Sequence, residues 1–320
     1  MKQPQTLQEA IVHFSNPDNC LAYMVAHRWP EGVECPTCGR KDVSYLANQK
    51  KWQCKSAHAK RQFTAKVGTI FEDSPLGLET WLPAVWIITT SKNGVSSCEI
   101  ARSLGVTQKS AWFMLHRIRK AMQNGSMMKL GGNGGPVEVD ETFIGGKARN
   151  MHLSKRKERI QGRGSVGKTI VMGFLERGGK VRTEVISDRY RPTLQGRVKD
   201  HVAKGAEIMT YEFAGYQGLD REYVHNVINH AIEYAKGHIH TNGMENFWSL
   251  VKRGLNGTYV SVEPFHLFRY LDEQAFRYNN RATKENPLTD ADRFSTVLSQ
   301  VTGKRLTYAE VTGKVGQTAF

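Results

Sequence analysis

Two sets of residues in this chain have the types and spacing to do chemistry. The first lies in CPTCGRKDVSYLANQKKWQCKSAH, which holds Cys35, Cys38, Cys54 and His58. A Cys-x2-Cys pair on a tight turn offers two thiolates to one Zn2+, and Gly39 relieves that turn. The second pair then closes a tetrahedron. Four protein ligands leave no open position, so the expected zinc is structural. His58 has the loosest spacing of the four and also reads as a surface histidine. The second set is acidic. In PVEVDETFIGGK, Val137 and Val139 alternate with Glu138 and Asp140, which puts both carboxylates on one strand face. In HTNGMENFWSLVKRG, Glu245, Ser249 and Lys252 fall on one helix face at i, i+4 and i+7. A carboxylate in a first turn with a lysine two turns along offers a metal ligand beside a phosphate clamp. For Glu245 or Lys252 taken singly, the reading as a surface charge is favoured.

These groups need elements to carry them. Residues 6–29 have helical spacing (Leu7, Ile11, Phe14, then Leu21, Met24, Val25), broken at Asn16-Pro17. Residues 33–66 are polar and aromatic around the two cysteine-bearing turns, and Tyr45 and Trp52 suit the short strands of a zinc ribbon. Such a fold is too small to hold together without metal. Residues 74–124 return to helical spacing, with Ser74-Pro75 expected to open a helix. A glycine-rich stretch, GGNGGP at 131–136, is expected to act as a hinge. Strand patterns follow, including a hairpin around Gly178-Gly179 and AEIMT, with helices interleaved near 192–203, 241–253 and 264–280. Thr241 is the expected N-cap of the middle helix and Gly254 its stop. The fold class is thus a mixed α+β or α/β multidomain chain, divided as 1–30, 31–70, 71–130, 136–285 and a tail at 286–320.

Composition narrows the function. With 320 residues there is room for two or three domains, and 39% hydrophobic content excludes a wholly disordered protein. No run of about 20 apolar residues provides a membrane span, and MKQPQTLQEA lacks the order of a signal peptide. A cytoplasmic protein is expected. A net charge of +15 points to a polyanionic partner, DNA or RNA ahead of membrane. The five cysteines are odd in number and unevenly placed, which favours metal binding over a disulfide framework. Lys50, Lys51, Lys55, Lys60 and Arg61 surround the cysteine cluster and suit phosphate contact.

NGVSSCEIARSLGVTQKSAWFMLHRIRKAM, residues 93–122, reads as a helix-turn-helix. Ser96 or Ser97 caps the first helix, Gly105 makes the turn, and Thr107 caps the second. In such a motif Gln108, Lys109 and Ser110 face base edges, while His116, Arg117, Arg119 and Lys120 reach phosphates. An ordinary helical hairpin with a basic outer face is the alternative. A further basic segment, KARNMHLSKRKERIQGRGSVGK at 147–168, carries Lys147, Arg149, Lys155, Arg156, Lys157, Arg159, Arg163 and Lys168 against Glu158. It suits DNA, or else a solvated loop.

The phrases VDETFIGGK, HTNGMENFWSLVKRGLNGTY and YLDEQAFRYNNR occur in the order seen in a DDE transposase of bacterial insertion sequences. The chain resembles the IS fifteen-ninety-five family over nearly its whole length: zinc ribbon, helix-turn-helix, then an RNase H-like catalytic domain. The resemblance implies Asp140 as the first acid, Glu245 as the last, and Lys252 as the basic residue that follows. Asn242 is a second candidate at the metal site. It implies two Mg2+ (or Mn2+) ions that clamp the attacking and leaving oxygens of an in-line phosphoryl displacement. Asp140 would bridge them, Glu245 would hold one, and Lys252 would position flanking DNA. Partners implied are the terminal inverted repeats of an element, target DNA, and further copies of the chain in a homodimer or larger synaptic complex.

One position departs from the family. The second acid belongs in a Thr-Asp-Glu phrase, and this chain reads Thr210-Tyr211-Glu212. A neutral phenol is a poor Mg2+ ligand. Glu212 is the nearest substitute, although successive strand residues face opposite ways, and Asp188 is a weaker one. Two functions follow: an active transposase completed by another acid, or a transposase-derived DNA-binding protein that represses or competes for element ends.

Overall fold

The computed structural model describes residues 3–123, 125, 128–132, 134–146, 151–159, 166–228 and 240–314, with only the backbone at 155, 158 and 159. The chain forms two compact units, one from 1–123 with 280–320 and the other from 124–279. Lys147, Arg149 and Arg163 of the basic segment lie outside the described residues, as do the side chains of Lys155 and Arg159.

Local chemistry sets the start of the first unit. Thr6 and Glu9 form a capping box that opens α1 (Leu7–Phe14), and Asn16 caps α2 (Pro17–Arg28) with Pro17 in the first turn. Three short antiparallel strands follow: β1 (Val43–Leu46), β2 (Lys51–Cys54) and β3 (Gln62–Phe63). Their core is a small aromatic stack in which Trp52 lies 5.7 Å from Trp29 and 6.1 Å from Phe63. Next comes α3 (Leu78–Thr90), which starts at Gly77 and not at Ser74-Pro75. Ser74 is instead a turn residue, its hydroxyl accepting from the Trp81 indole at 3.0 Å. Helices α4 (Ser97–Leu104) and α5 (Gln108–Met122) complete this half, with Gly105 at φ 65° making the turn between them.

The second unit is built on one five-stranded sheet. Its elements run β4 (Val137–Ile144), α6 (Leu153–Arg159), β5 (Thr169–Glu176), β6 (Val181–Ile186), α7 (Arg191–His201), β7 (Glu207–Tyr211), β8 (Val224–Ile228), α8 (Asn242–Gly254) and α9 (Leu267–Asn279). The strand order is β6-β5-β4-β7-β8. β4, β5 and β6 are antiparallel neighbours, whereas β7 runs parallel to β4 and β8 parallel to β7. This is the expected RNase H-like arrangement, with helices on both faces. Alternation along β4 sends Val137 and Val139 into a core with Leu194 and Val198 of α7. On the other face Val171 and Leu175 pack against Met244, Phe247 and Trp248 of α8 and Leu271 of α9. That approach is close: a Cβ on Gly173 would meet Met244 Cε at 2.2 Å and Trp248 Cζ2 at 2.6 Å.

Three local expectations change. The glycine-rich stretch is no hinge between the units, because Leu130 bridges to Val202 and the Gly131 N–H donates to Glu176 at 3.0 Å. Gly254 does not stop α8, which continues through a π turn at Leu255–Tyr259. Residues 286–320, separate in sequence, contain α10 (Asp290–Ser299) and α11 (Tyr308–Val311) and return to the first unit. There Phe294 packs 5.0 Å from Trp86 and 5.6 Å from Phe14. Among the described residues no helix is long and apolar enough to cross a membrane.

Candidate metal centre and active site

The four expected ligands of the first unit converge. One ligand atom each from Cys35, Cys38, Cys54 and His58 lies within 4.8 Å of all the others. Cys38 Sγ is 3.6 Å from Cys54 Sγ, and Cys35 Sγ is 3.5 Å from His58 Nε2. Bonds of about 2.3 Å from zinc to sulfur put tetrahedral ligands at such separations. His58 Nδ1 lies 2.6 Å from the Ala59 carbonyl, so a proton placed there leaves Nε2 to the metal. The donor set therefore fits a structural zinc. Around it Lys50 pairs with Asp18, Lys55 pairs with Asp42 at 2.8 Å, and Arg61 donates to the Cys54 carbonyl at 3.1 Å. Exposed pairs of this kind are weak, so phosphate can compete for the two lysines.

The helix-turn-helix forms as read, but its basic face is different. Gln108 and Lys109 are exposed at the start of α5, Gln108 donating to Ser97 at 2.8 Å and Lys109 lying over the Tyr308 ring. Ser110 is half-buried, and its N–H donates to the Thr107 cap. Arg117 corrects an expectation. It is 3% exposed, and its guanidinium donates to the carbonyls of Leu306 at 2.9 Å and Glu72 at 2.7 Å. His116 and Arg119 are buried as well. The third turn of α5 faces residues 72 and 306 of its own unit, far apart in sequence, and so cannot present these groups to phosphate. On α6, Arg156 and Lys157 are exposed.

In the second unit, β4 and α8 bring Asp140 and Glu245 together. Asp140 is held from two sides: Trp248 Nε1 of α8 donates at 3.1 Å and the Glu141 N–H at 2.9 Å. Burial first, and then the negative charge of Glu141 with a contribution from Glu245, pushes the Asp140 carboxyl up to about 7. A divalent cation relieves like-charge crowding of this sort, and carboxylate oxygens are the donors a hard cation needs. Glu245 is exposed in the first turn of α8, with Asn242 exposed before it and Lys252 exposed on the same face two turns on.

Position 211 has a different chemistry. Counting on from the register that pairs Glu138 with Met209 puts Tyr211 beside Asp140. Its phenol, however, donates to the buried carboxylate of Glu141, as does the phenol of Tyr216. Arg189 completes this cluster, 3.3 Å from Glu141 and donating to the Tyr211 oxygen at 2.8 Å. Burial drives the Tyr211 hydroxyl well above the usual phenol range, and the adjacent Glu141 charge adds to it. It is therefore a neutral donor and no anionic ligand. Glu212 follows the end of β7 in an exposed bend, and Asp188 accepts from Ser187 and from the Tyr190 N–H.

Several contributors were missed in the sequence. Glu141 and Arg189 have no spacing signal, since their pairing depends on strands meeting. Glu138 was expected on the face of Asp140, and it is there, but as a buried group and not a solvated one.

Comparison with known proteins agrees with this geometry. Residues 15–59 match the transposase zinc-ribbon domain, and residues 131–279 match the ISXO2-like transposase domain. The chain is 27% identical over 248 residues to an uncharacterised protein in transposable element ISH50 of Halobacterium salinarum, covering 72% of this chain and 80% of that protein. A zinc ribbon, an RNase H-like sheet carrying paired acids, and these matches lead to one assignment: the chain carries a transposase zinc-ribbon domain followed by an ISXO2-like transposase domain.

Proposed function

We propose that this transposase binds the ends of an insertion sequence and performs metal-dependent cleavage and strand transfer of DNA. The observation that carries the reading is the convergence of Asp140 and Glu245, from β4 and α8, with Lys252 on the same helix face. A divalent cation bound there supplies charge stabilisation to phosphoryl oxygens. Asp140, oriented by the Trp248 indole, and Glu245 would hold it, and Lys252 would neutralise a flanking phosphate. Because Tyr211 adds no carboxylate, this donor set suits one ion better than two. Gln108, Lys109, Arg156 and Lys157 are exposed and would contact the duplex. Joining two element ends calls for at least two copies of the chain, acting in the cytoplasm of the cell that carries the element.

Position 211 supports a second reading, a transposase-derived DNA-binding protein that occupies element ends without cutting them. The phenol is committed to Glu141 and Arg189, and Glu212 does not replace the missing acid within a strand. An end-cleavage assay with Mg2+ or Mn2+ decides between the two. Cleavage by the chain as it stands, abolished in Asp140→Asn and Glu245→Gln, supports the enzyme. Cleavage that appears only in Tyr211→Asp supports the end-binding protein.

A further inference from the structure

Helix α8 begins without a side-chain cap of its own. Thr241 occupies the N-cap position, yet its hydroxyl accepts no N–H of the first turn. The missing acceptor comes from another element: Glu138 of β4 takes the Met244 N–H on Oε2 at 2.9 Å. The same carboxylate is 1% exposed and holds Arg177 Nε at 2.7 Å on Oε1. Arg177 in turn donates to the His240 carbonyl at 2.7 Å, fixing the residue that leads into α8. A buried negative charge at a helix N-terminus is well placed against the helix dipole. Gly243 shows how tight the junction is, since a Cβ there would meet Leu175 Cδ2 at 2.5 Å and Glu138 Oε2 at 2.8 Å.

The two ends of this contact matter for what stands next to them. Met244 immediately precedes Glu245, and Glu138 lies two residues before Asp140 on the same strand face. A single hydrogen bond from strand to helix therefore sets the spacing of the two acids. The Trp248 bond to Asp140 one turn further along fixes the rotation of the helix about that point. We propose that Glu138 is a positioning residue of the active site, a buried carboxylate that caps α8 from β4 and locks Glu245 in register with Asp140. This rests on the reading of Asp140 and Glu245 as a metal-holding pair. Its assigned role is in positioning and not in ligation: Glu138 is 1% exposed, and its two oxygens accept from Arg177 and from the helix.

The test is Mn2+ affinity of the full chain, measured by electron paramagnetic resonance, with melting temperature and duplex binding followed in parallel. Glu138→Gln keeps the size of the side chain and removes its charge. Gly243→Ala leaves every charge in place and introduces a better helix former, while its methyl displaces the helix start. Each variant is expected to bind Mn2+ roughly 10–100-fold more weakly, as for groups that orient metal ligands, while still binding DNA. A lowered melting temperature with unchanged Mn2+ affinity marks a merely structural cap and overturns the proposal. If Glu138→Gln does not fold, Gly243→Ala decides; failure of both to fold also overturns it. A wild-type chain that binds no Mn2+ overturns the acid-pair reading and this inference with it, whereas wild-type binding with unaffected variants overturns this inference alone.

Discussion

The cysteine cluster of the first unit fits a zinc ion and the acid cluster of the second is proposed to hold a divalent cation, and the two are built in opposite ways. The first takes its ligands from one short stretch, residues 35–58, on two turns of a small sheet. Its set is closed and its neighbours are aromatic rings. The second takes Asp140 and Glu245 from a central strand and a helix 105 residues further along the chain. Its third position is a tyrosine bonded elsewhere. A closed thiolate site stabilises its own surroundings. An open carboxylate site carries a cost that the rest of the fold must offset: burial first, and then the charges of Glu141 and Glu245, raise the Asp140 pKa. On the proposed function, the difference separates a metal that makes structure from one that would do chemistry.

The largest expected effect concerns the first site. Structural zinc in small domains contributes on the order of 10 kcal/mol to folding. Chelation, or Cys54→Ser, should release the zinc and unfold the ribbon, which the fluorescence of Trp29 and Trp52 and a metal assay would report. The melting of the second unit should be unaffected. A ribbon that stays folded without metal would erase the contrast between the two sites.

The second effect is on activity. Asp140→Asn or Glu245→Gln should lower end cleavage on the order of a hundredfold or more, since a metal-held charge is worth several kcal/mol. The fold should survive, as measured by circular dichroism and zinc content. Loss of fold in both would mean that these acids are structural, like the cysteines.

Position 211 comes next. Tyr211→Phe leaves a buried oxygen of Glu141 with one donor fewer, a loss of about 1–3 kcal/mol in denaturant unfolding of the second unit. Tyr211→Asp places another carboxylate close to Glu141 and Asp140, so the metal-free variant should be less stable still. Added Mn2+ should restore it. A variant whose stability ignores Mn2+ would show that position 211 does not face the metal.

The smallest effect is a pH dependence. His225 bonds Thr210 at 2.9 Å, and burial lowers its pKa below the usual histidine value of 6.5, with Asp220 opposing. In the window between the depressed folded pKa and 6.5 the unfolded chain binds a proton that the folded chain refuses. Stability therefore falls as pH drops through that window and is fully present above 6.5. His225→Gln should flatten this limb in zinc-loaded protein. An unchanged limb would assign it to another group.

What could be read from the sequence follows the same division. The ligands of the ribbon, the helix break at Asn16-Pro17, the caps at Ser96 and Thr107, and the turn at Gly105 were all legible, because each depends on residues within a few positions of one another. Asp140 and Glu245 came from phrases that resemble a family and from a shared strand or helix face. Arg117 was misread because a basic residue on a helix says nothing about what packs over it; here the carbonyls of Glu72 and Leu306 do. Thr241 does stand at the N-cap of α8 as read, but the acceptor that α8 uses is the Glu138 carboxylate on β4, which no local spacing announces.

The sequence by itself thus determined the zinc ligands and the order of the elements, from short-range spacing and local hydrogen-bonding preference, and pointed to the two acids through phrases that resemble a family. Only the tertiary structure decided that Glu138 is a buried cap, that Arg117 is unavailable to DNA, and that Tyr211 is tied to Glu141 and Arg189. The physical reason is that burial and partner choice depend on which strands and helices meet. In this chain those meetings join residues 22 to 189 positions apart.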